Sequence, residues 1–218
     1  MRHRLRRHAS LIGLFAFLSL APVAAGQLAS RPAEDWIKSL DRPERIATLK
    51  IPEILERIKL KPGDVVADIG AGAGVFSLPL AKAVGPKGKV YAVDIEQGLM
   101  DYIDAKAKAQ NVTNVVTVLG KFTDANLPAK DVDVVFIHDV LHHIEDRATY
   151  LRNLGPYLKP ASRVVIIDPD PAKGGHRNDP TMQVSKEQAG AWLAGLGFKP
   201  VEEFPLFDTS WFVSFARP

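Results

Sequence analysis

Short apolar runs alternate with helical windows from residue 65 onward. Each run is rich in Val and Ile and nearly continuous, which is typical of strands that are buried on both faces of a sheet. The runs lie at 65–69, 89–95, 114–120, 132–138 and 163–168. Helical windows lie at 77–85, 97–110, 146–158 and 185–198. The alternation predicts an α/β fold with a doubly wound, Rossmann-like, mostly parallel sheet.

Two further segments complete the predicted domain. The runs at 200–207 and 210–217 have the pattern of an antiparallel hairpin, which would bring the sheet to seven strands at its edge. Residues 31–60 are polar and carry Pro32, Pro43 and Pro52 at positions suited to begin short helices. We therefore expect a helical cap at 31–60 and one domain at 61–218.

The first 25 residues have the pattern of an export signal. Basic residues precede an apolar run at 11–20, and Val23 and Ala25 are the small residues of a cleavage site. The apolar stretch is shorter than the ~20 residues of a membrane-spanning helix. We expect a periplasmic or secreted protein, with an uncleaved inner-membrane anchor as the alternative.

The basic charge of the chain comes from this first segment. Four of the 28 Lys and Arg residues lie within the first 30 positions, which leaves 24 against 25 Asp and Glu in the remainder. A nearly neutral body lacks the charge that nucleic-acid binding requires, so we expect no nucleic-acid partner. The absence of Cys excludes disulfides, thiolate zinc sites and thiol nucleophiles.

A glycine-rich turn follows the first predicted strand. Asp68 ends an apolar run that leads into Gly70, Gly72 and Gly74, and a helical window comes next. Glycines let a ligand approach the backbone where a strand turns into a helix. Asp94 ends the second strand, where a carboxylate can accept from the two hydroxyls of a ribose. Both features lie at the carboxyl ends of strands, where such sheets bind ligands.

The ordered motifs DIGAGAG, VYAVDIE, GKFTDANLP and VDVVFIHDVLHHIEDRATYLRNLGPYLKPASRVVIID resemble the class I S-adenosylmethionine-dependent methyltransferases, in the branch of ubiquinone and menaquinone methylases. The resemblance implies S-adenosylmethionine as cofactor and a small-molecule methyl acceptor. It implies that the methionine part of the cofactor lies by Asp68 and the turn and that the ribose lies by Asp94. The further cofactor contacts that it implies are Gly70, Ala71, Gly72, Gly74, Ile95, Phe122 and His138.

Two positions depart from the pattern of that family. Relatives have an acid after the glycine that ends the third strand, whereas this chain has Lys121 there and its acid at Asp124. Adenine recognition is therefore expected to use the backbone, or Asp124 from a shifted loop. In the predicted turn at 159–163, before the fifth strand, this chain lacks the two glycines that relatives usually have there.

Histidines supply the candidate catalytic groups. His142 and His143 follow the fourth strand, and His176 lies in the polar loop after the fifth; an imidazole is a suitable base near neutral pH. At the start of a helix, packing or capping is an equally ordinary role for the first two. Asp168, Asp170 and His176 could in principle ligate a metal, but acids in a Pro-rich loop are typical of turns, so we expect none.

Two alternative functions stay open at this level. A nicotinamide-dependent oxidoreductase would use a similar sheet, but Val75 stands where its third glycine would fall. A non-catalytic protein that binds S-adenosylmethionine or another nucleoside would keep the same turn and acid.

Overall fold

The computed structural model describes residues 31–218, and the predicted signal or anchor at 1–25 lies outside them. Within the described residues, the chain forms seven strands. They are β1 (Val65–Ile69), β2 (Lys89–Asp94), β3 (Val115–Leu119), β4 (Val132–His138), β5 (Leu158–Pro169), β6 (Lys199–Glu203) and β7 (Ser210–Ala216).

Seven α-helices accompany these strands in the same part of the chain. They are α1 (Ala33–Leu40), α2 (Pro43–Thr48), α3 (Ile51–Ile58), α4 (Ser77–Val84), α5 (Gln97–Ala109), α6 (Arg147–Leu154) and α7 (Lys186–Ala194). No helix within 31–218 is long and apolar enough to cross a membrane.

The strands form one sheet in the order β3-β2-β1-β4-β5-β7-β6. The first five strands along the chain pair in parallel, and β7 is antiparallel to both β5 and β6. The chain moves outward from β1 to β3 and then returns to place β4 on the other side of β1. The predicted doubly wound sheet with an antiparallel hairpin at its edge is confirmed.

Successive residues of β1 pack on opposite faces of the sheet. Val66 lies in one apolar cluster with Leu80 of α4. Ala67 lies in another, with Leu151 of α6 and Leu193 of α7. Helices therefore cover both faces, and this explains why the strands carry continuous apolar runs rather than an alternating pattern.

The fifth strand begins earlier than the sequence indicates. The segment 159–163 was expected to form a turn, yet β5 starts at Leu158, which pairs with Val132 of β4. The Ser162 hydroxyl donates to the Val132 carbonyl at 2.6 Å. This side-chain bond to the neighbouring strand accompanies an irregularity in the register between Val132 and Val134.

Candidate active site

The turn after β1 requires glycine. Gly70 and Gly72 have φ of 70° and 54°, in the left-handed region that residues with a Cβ rarely adopt. A Cβ on Gly72 would lie 2.8 Å from Leu40 Cδ1, and a Cβ on Gly70 would collide with the Val140 side chain. The N–H groups of Gly70 and Ala71 donate to the Val93 carbonyl at 2.8 and 2.9 Å. The turn is therefore held against the end of β2.

The Asp94 carboxylate fixes this turn to the tip of β2. Its Oδ2 accepts from the Gly72 N–H at 2.9 Å, and its Oδ1 accepts from Ile95 and Glu96 at 2.8 and 3.3 Å. Burial raises the pKa of Asp94 above its ordinary value, and the three N–H groups act in the opposite direction. The sequence placed Asp94 next to the turn, and the structure brings the two into direct contact.

Asp68 lies behind the turn rather than in the cavity wall. Its side chain is buried and accepts from the Ser77 hydroxyl at 2.5 Å. Burial raises the pKa of Asp68 to about 7, against the opposing effect of the Ser77 bond. Asp68 therefore holds Ser77, the first residue of α4, behind the glycine turn.

A cavity of about 320 Å³ opens at the carboxyl ends of β1, β2 and β4. Its volume lies in the range of small-molecule sites. Eight of the candidate residues line it, namely Gly70, Ala71, Gly72, Asp94, Ile95, Phe122, His138 and His143. Five do not, namely Asp68, Gly74, Asp124, His142 and His176.

The loop after β3 orients Lys121 and Phe122 toward the cavity and Asp124 elsewhere. The Lys121 N–H donates to the Asp124 carbonyl at 2.7 Å. The Asp124 carboxylate accepts from the Asn126 N–H at 2.6 Å and from the Tyr157 hydroxyl at 2.8 Å. These bonds close the loop, so Phe122, which is 53% exposed, forms the rim of the cavity.

His138 ends β4 within the cavity wall. The centroid of its ring is 4.5 Å from that of Phe76. Burial and, secondarily, the positive charge of Arg45 lower the pKa of His138 to about 3. The ring is consequently uncharged near neutral pH and does not repel a cationic ligand.

Three histidine rings pack against one another, each tilted relative to the next, in a row that leads away from the cavity. His143 lines the cavity, and its ring centroid is 4.1 Å from that of His142, which is 4.4 Å from that of His176. Burial, reinforced by its neighbour His142, lowers the pKa of His143 to about 4. Of the three candidates, His143 is the one that the structure places where a neutral imidazole could accept a proton from a ligand.

His142 is paired with a carboxyl behind the cavity. His142 Nδ1 lies 3.0 Å from Asp168 Oδ1, and both side chains are buried. Burial raises the pKa of Asp168 and lowers that of His142, which favours an uncharged pair near neutral pH. Asp168 Oδ2 is buried and has no hydrogen-bond partner within residues 31–218. In the same range, no group of three His, Cys, Asp or Glu side chains could hold a metal ion.

The helices at 33–58 contribute residues that the sequence did not single out. Trp36, Leu40 and Arg45 line the cavity. Asp41, next to α1, accepts from the Tyr102 hydroxyl and from Lys106 Nζ, both at 2.6 Å. These bonds fasten the predicted cap to α5. A cap was expected from its prolines, but no local pattern indicates which of its side chains face the sheet.

The comparisons with known proteins agree with this geometry. A family model described as a methyltransferase domain matches residues 60–195. Demethylmenaquinone methyltransferase of Lactobacillus johnsonii is 33% identical over 119 residues, which cover 53% of this chain and 48% of that protein. The enzyme of the same name from Geobacillus stearothermophilus is 28% identical over 116 residues, which cover 53% of this chain and 50% of that protein. The chain therefore spans about half the length of the curated relatives it matches.

A solved structure matches over more of the chain. A SAM-dependent methyltransferase from Aquifex aeolicus superposes with a TM-score of 0.74 at 27% identity, covering 85% of this chain and 98% of that one. The resemblance seen in the ordered motifs is confirmed by the family model and by this structure. The chain belongs to the methyltransferase domain family.

Proposed function

We propose that this chain is an S-adenosylmethionine-dependent methyltransferase whose acceptor is a small organic molecule. The observation that carries the proposal is the contact between Asp94 and Gly72, which sets a carboxylate beside a turn whose glycines have a positive φ. A ribose and a closely approaching chain need this combination. Membership of the methyltransferase domain family supports the same conclusion.

The residues present fit this cofactor. Asp94 would accept from the ribose through Oδ2, which receives one N–H bond and has a second acceptor site, whereas Oδ1 already accepts two N–H bonds. Ile95 and Phe122 would contact the adenine, because Ile95 directly follows Asp94 and Phe122 lies in the loop after β3, which pairs with β2. The turn at Gly70–Gly72 would lie against the methionine part.

When bound, S-adenosylmethionine supplies a methyl group on a sulfonium, which a nucleophile can displace. Methyl transfer needs mainly alignment, with a base only where the nucleophile must lose a proton. The chain orients the reactants with the rigid ends of β1, β2 and β4 and covers them with Trp36 and Leu40 of α1. His143 lines the cavity and is uncharged near neutral pH, so a ring nitrogen can accept a proton from a hydroxyl acceptor, but its pKa of about 4 makes it a weaker base than an ordinary imidazole.

The acceptor that we propose is a quinol or a related hydroxylated aromatic ring. Relatives named demethylmenaquinone methyltransferase support this class. The cavity wall also offers Trp36, Leu99 and Ile144 to a flat apolar ring. Nucleic acid is disfavoured by the balance of 24 basic and 25 acidic residues after residue 30.

The test is transfer of a labelled methyl group. The purified protein is incubated with methyl-labelled S-adenosylmethionine and a panel of naphthoquinols, phenols, lipids and amines. We expect label in an aromatic product for the wild type and for Asp101→Asn on the exposed face of α5, with strong loss for Asp94→Asn. Binding of the cofactor without transfer to any member of the panel would favour a non-catalytic binding protein instead.

We also propose that residues 1–25 direct export. The support is the sequence pattern alone: a basic stretch, an apolar run and small residues at Val23 and Ala25. Mass spectrometry of the protein recovered from the periplasm or medium should find Gly26, or its immediate neighbour, at the amino terminus. Retention of Met1 in the membrane fraction would indicate an uncleaved anchor.

A further inference from the structure

One guanidinium lies in the wall of the cavity. Arg45 belongs to α2, outside the residues 60–195 that match the family model, so the family match assigns it no role. Its side chain is 23% exposed, and it is the one Arg among the described residues that line the cavity. The other cation in the wall, Lys121, lies on the loop after β3.

Among residues 31–218, the partners of the Arg45 side chain leave part of its donor capacity unused. Its Nη1 donates to the Leu40 carbonyl at 3.2 Å. Its Nη2 lies 3.6 Å from Asp139 Oδ2, which is longer than a hydrogen bond. The Asp139 side chain is 47% exposed, and an ion pair with such an exposed partner contributes little. A guanidinium has five N–H donors, so a better acceptor can replace Asp139 at low cost.

The position of Arg45 corresponds to one end of the proposed cofactor. Asp139 directly follows β4, which pairs with β1 on the side opposite β2 and Asp94. Val140, the next residue, packs against Gly70. Arg45 and Asp94 therefore stand on opposite sides of the glycine turn. A ligand whose ribose lies at Asp94 and whose chain crosses the turn ends near Arg45.

We propose that Arg45 binds the α-carboxylate of the methionine part of S-adenosylmethionine, in place of its loose contact with Asp139. This rests on the proposed function. Guanidinium and carboxylate form two parallel charge-assisted hydrogen bonds, a geometry that an ammonium group does not reproduce. Because Arg45 belongs to α2, cofactor binding would also hold the predicted cap against the ends of the strands.

An acidic group on the methyl acceptor is the other carboxylate that Arg45 could bind. The charges of the wall disfavour it. Four carboxylates line the cavity against two cations, and the carboxylates are Asp94, Glu96, Asp139 and Glu145. Such a wall attracts a sulfonium and an ammonium, and Arg45 is the cation in it that lies beside the glycine turn, where the single carboxylate of the cofactor would end. A second anion would meet net repulsion.

The test compares two ligands that differ in the amino-acid part. S-adenosylhomocysteine carries the carboxylate, and 5′-methylthioadenosine has the same nucleoside without it. Both are titrated calorimetrically into the wild type, Arg45→Gln, Arg45→Lys and the control Arg42→Gln. The exposed Arg42 side chain bonds only the Ser39 carbonyl within the described part of the chain. Thermal unfolding of each variant verifies that it is folded.

We expect Arg45→Gln to weaken S-adenosylhomocysteine binding about 10- to 100-fold, the scale of a hydrogen bond to a charged group. The affinity of Arg45→Lys for S-adenosylhomocysteine should lie between those of the wild type and Arg45→Gln. Binding of 5′-methylthioadenosine should change less than about twofold, and Arg42→Gln should resemble the wild type. This selective loss supports the assignment.

Equal weakening of both ligands would show that Arg45 only positions the cap, and it would overturn the assignment. Unchanged S-adenosylhomocysteine affinity, with a raised KM for an acidic acceptor, would overturn it in favour of the acceptor. If the wild type binds neither ligand, the proposed function fails together with this role of Arg45. If the wild type binds both ligands and Arg45→Gln weakens both equally, only the role of Arg45 is overturned.

Discussion

Replacing Asp68 by Asn should remove the pH dependence that this buried carboxyl gives to folding. Asp68 accepts from Ser77 at 2.5 Å beneath the glycine turn and is 3% exposed. Asn has nearly the same shape, and its amide oxygen can still accept from Ser77. The substitution therefore changes the titration with little change in packing.

The magnitude follows from the pKa. The pKa of Asp68 is raised by burial from 3.8 to about 7, and one pKa unit corresponds to about 1.4 kcal/mol. Ionising Asp68 in the folded protein thus costs about 4 kcal/mol more than in the unfolded chain. Because the folded pKa is raised, the stabilising contribution is complete below about pH 4 and is lost as the pH rises through 7.

The assay is urea unfolding of the wild type and Asp68→Asn between about pH 5 and pH 8. The free energy of unfolding of the wild type, minus that of the variant, should fall by about 3 kcal/mol over this interval. Other titrating groups cancel in the difference. Asp101→Asn at an exposed position controls for the loss of one negative charge. A difference between the wild type and Asp68→Asn that stays constant within about 0.5 kcal/mol would show that the pKa of Asp68 is not raised in the folded protein.

Three further predictions concern the site. Asp94→Asn should weaken S-adenosylhomocysteine binding about 10- to 100-fold, because the amide nitrogen would face an N–H donor at either position, that of Gly72 or those of Ile95 and Glu96; unchanged affinity in calorimetry would contradict the ribose role. Asp41→Asn should lower the free energy of unfolding by about 1–3 kcal/mol, since Lys106 loses a charged partner at 2.6 Å; a urea midpoint equal to that of the wild type would show that this ion pair does not stabilise the contact between the cap and α5. His143→Ala should lower kcat for a hydroxyl acceptor and leave cofactor affinity intact, and an unchanged kcat would exclude it as the base.

Much of the fold could be predicted because its signals are local. Continuous Val-rich runs indicate strands covered on both faces, and β1, β2 and β4 occupy nearly the residues that the runs define. The start of β5 could not be predicted in this way. Pro160 indicates a turn by itself, whereas the strand extends to Leu158 because it pairs with Val132, a partner distant in sequence.

The residues of the site also differ in whether a local sequence signal predicts them. The glycine turn and Asp94 are recognisable because chain reversal and ribose binding require those residue types at strand ends. Which of two adjacent histidines faces the cavity depends on the single helical turn at Leu141–His143, which turns His143 inward and His142 toward Asp168. Asp124 similarly turns away because its loop closes on Tyr157.

Arg45 is the clearest case of a residue that sequence reasoning passes over. It lies in a polar segment whose prolines indicate short helices and nothing more. Its place beside Asp139 depends on the fold of the whole domain, including the bonds of Asp41 to Tyr102 and Lys106. Contacts between a cap and a sheet are long-range and leave no periodic pattern in either segment.

Calorimetric titration of the purified protein with S-adenosylhomocysteine and, separately, with NAD distinguishes a methyltransferase from an oxidoreductase. We expect one-to-one binding of S-adenosylhomocysteine with a Kd on the order of micromolar, abolished or strongly weakened in Asp94→Asn, and no binding of NAD. Binding of NAD with no heat from S-adenosylhomocysteine would contradict the account and indicate an oxidoreductase.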